Sequence, residues 1–236
     1  MDWSRRSEVK ELMDNPDLDK ESLREAYSDI NRCNTWLGGI SITIKAIRKL
    51  IKAHPKKTYS IFDMGCGDGY MLRNIAKAFK NDPVDLELIG FDLHEDVVSV
   101  AREATNENDT IRFKKADILA LDANMHCDIL ICTLTMHHFK ESDILRFIKK
   151  FSELAQIGIV INDLERSPIA YRLFKLFSFL FIQSNVAKTD GLTSISKGFK
   201  KTELLQIANH LNNLQHTITW QWAFRYLWVI KPNRII

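Results

Sequence analysis

The 236-residue chain is predicted to be an α/β protein with a doubly wound, mostly parallel sheet. Three observations predict this. Short apolar runs at 59–63, 86–92, 111–113, 128–133 and 157–162 alternate with amphipathic helical segments at 71–79, 96–104 and 142–154. Such alternation calls for parallel strands joined by right-handed helical crossovers. The first run ends in Asp63 and passes through Gly65, Gly67 and Gly69 into a helix, a glycine-rich strand-to-helix turn. The chain closes on two aromatic, β-branched runs at 217–222 and 224–230, which predict an antiparallel hairpin and bring the sheet to seven strands.

Ahead of the first strand the pattern is helical. One helix is expected over about 5–13, ended by Asn15-Pro16, and a second from Lys20 towards Cys33. Gly38-Gly39 ends that unit, and Ile40, Ile44, Ile47 and Ile51 mark the apolar face of a third. His54-Pro55-Lys56-Lys57 reads as a linker. The expected division is therefore an N-terminal helical cap over 1–54 and a sheet domain over 55–236. Within the latter, an insertion at about 166–200 follows the fifth strand. It contains a Phe-rich helical stretch at 167–187, then a glycine-containing loop at 189–198, with a helix at 201–211 after it.

Composition excludes several classes. A formal charge of +3 is mild, and the basic residues Lys45, Arg48, Lys49, Lys52, Lys56 and Lys57 read as a solvated helix face. No dense basic stripe suggests a nucleic-acid partner. The four cysteines, Cys33, Cys66, Cys127 and Cys132, form no CxxC pair, so neither a zinc cage nor a disulfide framework is expected. The N-terminal MDWSRRSEVKELMD lacks the apolar core of a secretory signal, and a cytoplasmic location is expected. The most apolar run, 176–182, is far shorter than the roughly 20 residues that span a bilayer.

The segment IFDMGCGDGY, residues 61–70, carries the chemistry. Its glycines allow a sharp turn and close approach to a ligand. A dinucleotide fingerprint GxGxxG would place its third glycine at position 70, which is Tyr70. A pyrophosphate also prefers amides without a nearby carboxylate, yet Asp63 and Asp68 flank this loop. Two acids suit the cationic ammonium and sulfonium of S-adenosylmethionine instead. Asp92, at the end of the second strand, is placed to accept the hydroxyls of a ribose. Asp117, after the third, could accept an adenine amino group. Each can also be read as a helix cap or loop aspartate.

Residues 63–69 with Asp92 and Asp117 resemble the first three motifs of class I methyltransferases, especially the ubiquinone- and menaquinone-biosynthesis-like small-molecule branch. The resemblance covers about 59–165 and implies a Rossmann-like fold with a C-terminal antiparallel hairpin and S-adenosylmethionine as cofactor, S-adenosylhomocysteine being the product. It implies a cofactor site of Asp63, Gly65, Cys66, Gly67, Asp92, Leu93, Asp117, Ile118 and Thr133. Gly65 and Gly67 would cradle the methionine moiety and Asp92 the ribose. Leu93 would pack on the adenine, with Asp117 and the Ile118 amide at its edge.

Acceptor chemistry belongs beyond the ends of the fourth and fifth strands. There lie His137 and His138, candidates for a base, and Asp163, Glu165 and Arg166. His137, His138 and Asp163 form the candidate catalytic set; each has a plain packing or capping reading beside it. No metal is expected, since no third ligand shows tight spacing with the histidines. The apolar stretch through Tyr171, Phe174, Phe177 and Phe181 must be buried, cover a pocket or touch lipid. The expected acceptor is a small hydrophobic or aromatic molecule, with an oxygen favoured over a carbon and peripheral membrane contact open to the Phe-rich lid. Monomer and homodimer both remain open. A nucleic-acid or protein methyltransferase, a non-catalytic cofactor-binding protein and an oxidoreductase are the alternatives.

Overall fold

The computed structural model describes residues 2–15, 17–106, 110–122 and 124–232. The N-terminal segment leads into α1 (Lys20–Trp36) and α2 (Gly39–Ala53), and then β1 (Thr58–Met64) opens the sheet. There follow α3 (Tyr70–Phe79), β2 (Asp85–Asp92), α4 (Glu95–Glu103), β3 (Ile111–Lys115), β4 (Cys127–Thr133), α5 (Glu141–Leu154) and β5 (Ala155–Leu164). The chain continues through α6 (Pro168–Phe181), α7 (Asn185–Lys197), α8 (Lys201–Asn209), β6 (Leu214–Gln221) and β7 (Arg225–Pro232). The seven strands form one sheet in the order β3-β2-β1-β4-β5-β7-β6. β1 to β5 pair in parallel, and β7 runs antiparallel between β5 and β6. The predicted α/β class, seven strands and terminal hairpin are all present.

Alternating side chains divide the core into two layers. Ile61, Ile129, Ile131 and Val160 point to one face, where they meet α2, α3 and α4 through Ile47, Leu50, Leu72, Ile75 and Val98. Phe62, Leu130, Cys132 and Ile159 point to the other, against Ile148, Phe151 and Leu154 of α5 and Leu204 and Ala208 of α8. This period-2 division is what buries a parallel sheet on both faces. Helix α2 is thus part of the sheet core, while α1 packs against α7 above it. No helix among the described residues is long and apolar enough to cross a membrane.

The structure departs from expectation in three places. The helix expected over 5–13 is a strap that closes only in a 3₁₀ turn, Leu12–Asp14. Its polar groups bind the rest of the molecule: Ser7 N donates to Ser196 O at 3.1 Å, and Arg6 Nη2 donates to the carbonyls of His137 and Phe139 at 2.7 and 3.1 Å. Those partners outweigh the weak cooperativity of a short helix. The loop expected over 189–198 is instead most of α7, capped at Ser184, whose hydroxyl accepts from Ala187 N at 3.3 Å. Gly191 reads as a breaker but serves packing: a Cβ there would lie 2.3 Å from Phe174 Cζ. The Phe-rich stretch also breaks earlier than expected. Asp29 Oδ2 accepts from the Gln183 and Ser184 amides at 2.8 and 2.7 Å, fixing the α6–α7 corner.

Candidate functional site

Strand order reverses between β1 and β4, and ligands in such sheets bind beyond the C-terminal strand ends at that point. A cavity of about 740 Å³ opens there, within the ~300–1,000 Å³ typical of small-molecule sites. Its base is the turn from β1 into α3. Gly65 N and Cys66 N both donate to Phe91 O, at 2.8 and 3.0 Å, which ties the turn to β2. Gly65 has φ +73°, and a Cβ on it would lie 2.2 Å from Thr135 Cγ2. Gly67 has φ +54° and sits under the ring of Tyr27, reached from α1. Both positions demand glycine by conformation and by space.

Asp92 faces this turn. Its Oδ2 accepts from Gly67 N at 3.1 Å and its Oδ1 from His94 N at 3.2 Å, which leaves lone pairs on both oxygens for further donors. Asp63 is 2% exposed, and burial together with the nearby Asp92 pushes its carboxyl up to about 8. A cation placed between these two acids would reverse that penalty. Asp68 corrects the expected pair of loop acids. It is bridged by Arg73 Nη2 at 3.2 Å and receives Asn31 Nδ2 at 2.8 Å, so its charge is already compensated. The uncompensated pair is Asp63 and Asp92.

All nine residues expected at the cofactor line the cavity: Asp63, Gly65, Cys66, Gly67, Asp92, Leu93, Asp117, Ile118 and Thr133. Leu93 is largely exposed at the rim. Asp117 caps a short 3₁₀ turn, its Oδ1 accepting from Leu119 N at 2.9 Å.

His137 and His138 line the same cavity, whereas Asp163 lies behind His137 and outside its wall. Asp163 accepts from His137 N at 3.0 Å and pairs with His137 Nδ1 at 2.7 Å. Burial alone would raise this carboxyl; the ion pairing and hydrogen bonding of His137 outweigh it and hold Asp163 below the usual range. Asp163 engages Nδ1 of the ring, so Nε2 is the nitrogen turned away from the pair. Nε2 is buried and has no hydrogen-bond partner among the described residues. His138 is bound differently. Burial opposes its charge, but Asp14 and Glu11 prevail and raise its pKa above the ordinary value.

The expected absence of a third group near the histidines is corrected by the fold. The strap brings Glu11 to 3.7 Å from His137 Nε2 and 3.6 Å from His138 Nε2. Lys197 Nζ lies 3.2 Å from Glu11, so a cation already occupies that carboxylate. Glu165 and Arg166 also serve structure. Glu165 accepts from Trp220 Nε1 at 2.8 Å, and Arg166, only 2% exposed, pairs with Glu203 and donates to Gly198 O at 2.7 Å.

Sequence reading missed the upper wall. Tyr27, Asn31 and Asn34 of α1, Glu11 and Asp14 of the strap, Asp190 of α7 and Arg225 of β7 all line the cavity. The 27/31/34 spacing marks one helix face, which is the one signal the chain offered. Phe174 and Phe177 of α6 close the top, and Trp36 packs edge-on against Phe177 at 6.4 Å.

Residues 61–158 match the family described as a methyltransferase domain. A curated relative, malonyl-[acyl-carrier protein] O-methyltransferase 1 of Ilyobacter polytropus, is 23% identical over 155 residues, 65% of this chain and 53% of that protein. The chain thus spans about half the length of the curated relative it matches. Among solved structures, the plantazolicin methyltransferase in complex with S-adenosylhomocysteine superposes with TM-score 0.67 at 18% identity, covering 92% of each chain. Magnesium protoporphyrin IX methyltransferase from Synechocystis PCC 6803, with bound S-adenosylhomocysteine, gives 0.60 at 16% identity, covering 90% of this chain and 94% of that one. Strand order and glycine turn agree with these comparisons: residues 61–158 match a methyltransferase-domain family, and the chain shares its fold with solved methyltransferases.

Proposed function

We propose that the chain binds S-adenosylmethionine in this cavity and methylates a small, hydrophobic or aromatic acceptor, at oxygen rather than carbon. The observation that carries the proposal is the buried, uncompensated Asp63 beside Asp92 under a glycine turn that no Cβ could enter. The relatives with bound S-adenosylhomocysteine support the same cofactor. When bound, the cofactor supplies an electrophilic methyl group on a sulfonium. Gly65, Cys66, Gly67 and Thr133 would hold its methionine part, Asp92 its ribose, and Leu93, Asp117 and Ile118 its base.

The protein's contribution to methyl transfer is mainly positioning. Asp63 and Asp92 favour positive charge at the donor end. His137 is placed to take the acceptor's proton at Nε2, with Asp163 acting through it as a positioning residue. His138, held towards its protonated form by Asp14 and Glu11, is the poorer base. The α6 lid supports an apolar acceptor: Phe174 and Phe177 face the cavity, while Leu176, Phe179 and Leu180 are exposed and offer a peripheral membrane contact. Residues 1–54 serve this reading as a split cap, with the strap and α1 over the cavity.

Incubating the protein with S-adenosylmethionine and panels of phenols, hydrophobic acids, oligonucleotides and peptides, with mass-spectrometric detection, tests the proposal. Methylation at oxygen of the apolar small molecules is expected. Methylation confined to oligonucleotides or peptides would refute it, as would cofactor binding without turnover on any panel.

A further inference from the structure

Arg225 is not among the residues assigned to the donor above. It opens β7 beside Leu164 of β5, lines the cavity and is 3% exposed. Among the described residues its Nε and Nη1 are buried without an acceptor. Burial pulls the guanidinium down to about 10, which still leaves it charged at neutral pH. The nearby carboxylate, Asp163, is engaged with His137 and the Leu164 amide. A buried guanidinium without a partner is unfavourable, and that penalty falls when an anion reaches it.

A second, independent feature points to the same place. Helix α2, 15 residues long, starts at Gly39 after the N-cap Gly38, which offers no side-chain cap to the positive end of the helix dipole. Arg225 reaches that end: a Cβ built on Gly39 would lie 2.9 Å from Arg225 Cζ and 1.9 Å from Asn34 Oδ1. Only glycine lets the two side chains converge there. Asn34 Oδ1 is itself buried without a donor. The surrounding wall is apolar, with Leu164, Phe177, Trp222 and Phe224 lining the same cavity.

We propose that Arg225, with the uncapped start of α2, is a carboxylate-binding subsite, and that the acceptor is an amphipathic acid whose apolar body lies under α6. This rests on the acceptor reading above and narrows its substrate class. Arg–carboxylate pairs are strong and can be bidentate, so the subsite fixes orientation as well as affinity. The carboxylate serves as an anchor; which acceptor oxygen takes the methyl group is a separate matter.

The same guanidinium could take the carboxylate of the cofactor's own methionine part, and the test separates the two sources. Binding of decanoate and of 1-decanol to the protein loaded with S-adenosylhomocysteine is measured by calorimetry for wild type, Arg225→Gln, Arg225→Lys and Asn34→Asp. Decanoate is expected to bind at least tenfold more tightly than decanol to wild type. Arg225→Gln should abolish that preference and Arg225→Lys keep part of it. Asn34→Asp retains the arginine but supplies an internal carboxylate, so it should weaken decanoate about tenfold and leave decanol unchanged, which keeps the test open if the arginine variants fold poorly. Equal affinity for the two ligands in wild type, or a preference that survives in Arg225→Gln, overturns the proposal. So does a loss of S-adenosylhomocysteine affinity in Arg225→Gln without loss of 5′-methylthioadenosine affinity, since that assigns the subsite to the cofactor. Failure of wild type to bind S-adenosylhomocysteine at all would instead refute the methyltransferase reading itself.

Discussion

Around Asp63 and Asp92 the cavity wall comes from the ends of two neighbouring parallel strands, β1 and β2, paired in register from Thr58 to Met64. Around His137 and Arg225 it is assembled from the strap, α1, the end of β4, α6, α7 and the start of β7. The first region is rigid by construction: backbone ladders hold it, and its polar groups answer one another over short distances. The second depends on contacts between segments far apart in the chain, such as Arg6 with His137 O across 131 positions. One half of the site is therefore shaped by the fold and the other by its additions.

Substitutions should separate the two halves cleanly. The largest effect is expected at Gly65. A valine there meets Thr135 and must adopt φ +73°, so S-adenosylhomocysteine affinity measured by calorimetry should fall more than about a hundredfold. His137→Gln, at the other end, should lower kcat by about 10²–10⁴ while leaving cofactor affinity within twofold, because a general base contributes on that scale. Loss of cofactor binding in this variant would show that the two ends are not independent. Asp92→Ala should weaken the cofactor about 10–100-fold through lost hydrogen bonds to a charged group, with little change in acceptor KM.

Two pH effects sharpen the comparison further. With its carboxyl raised to about 8 by burial and by Asp92, Asp63 keeps its proton in the folded chain where the unfolded chain has lost it. Stability of the free protein should therefore fall as pH rises from about 4 towards 8. Cofactor binding should favour the ionised form and release a proton, read as a buffer-dependent enthalpy that Asp63→Asn removes. The smallest effect is expected at His138. Its raised pKa means that its attachment to Glu11 and Asp14 is fully present at low pH and is lost as pH rises through that value. Protection of the amides of residues 3–14, taken relative to intrinsic exchange at each pH, should fall as pH rises through the raised histidine value, and His138→Gln should flatten that change.

The contrast also explains what could be read from the chain. Asp63, Gly65, Gly67 and Asp92 stand at positions set by a strand end and a turn, so local spacing was enough to place them. The helix α2 was visible from its isoleucine period, and its face does meet the sheet at Ile47 and Leu50. The strap was misread because Arg6 and Ser7 find their partners near residues 137 and 196, which no local pattern reveals. Gly191 was taken for a loop former when the ring of Phe174, not a turn, excludes a side chain there. Arg225 was overlooked inside an aromatic strand run; only the fold shows that its charge is unanswered. Asp68 looked equivalent to Asp63 until Arg73, one turn into α3, was seen to pair with it.

In the proposed site, Asp63 and Asp92 select a cationic adenosyl cofactor over a dinucleotide. Calorimetric titration of the purified chain with S-adenosylmethionine and, separately, with NAD tests it most directly. One-to-one binding of S-adenosylmethionine, weakened at least tenfold in Asp92→Ala, is expected, with no measurable binding of NAD. Tight NAD binding with no response to S-adenosylmethionine would contradict it.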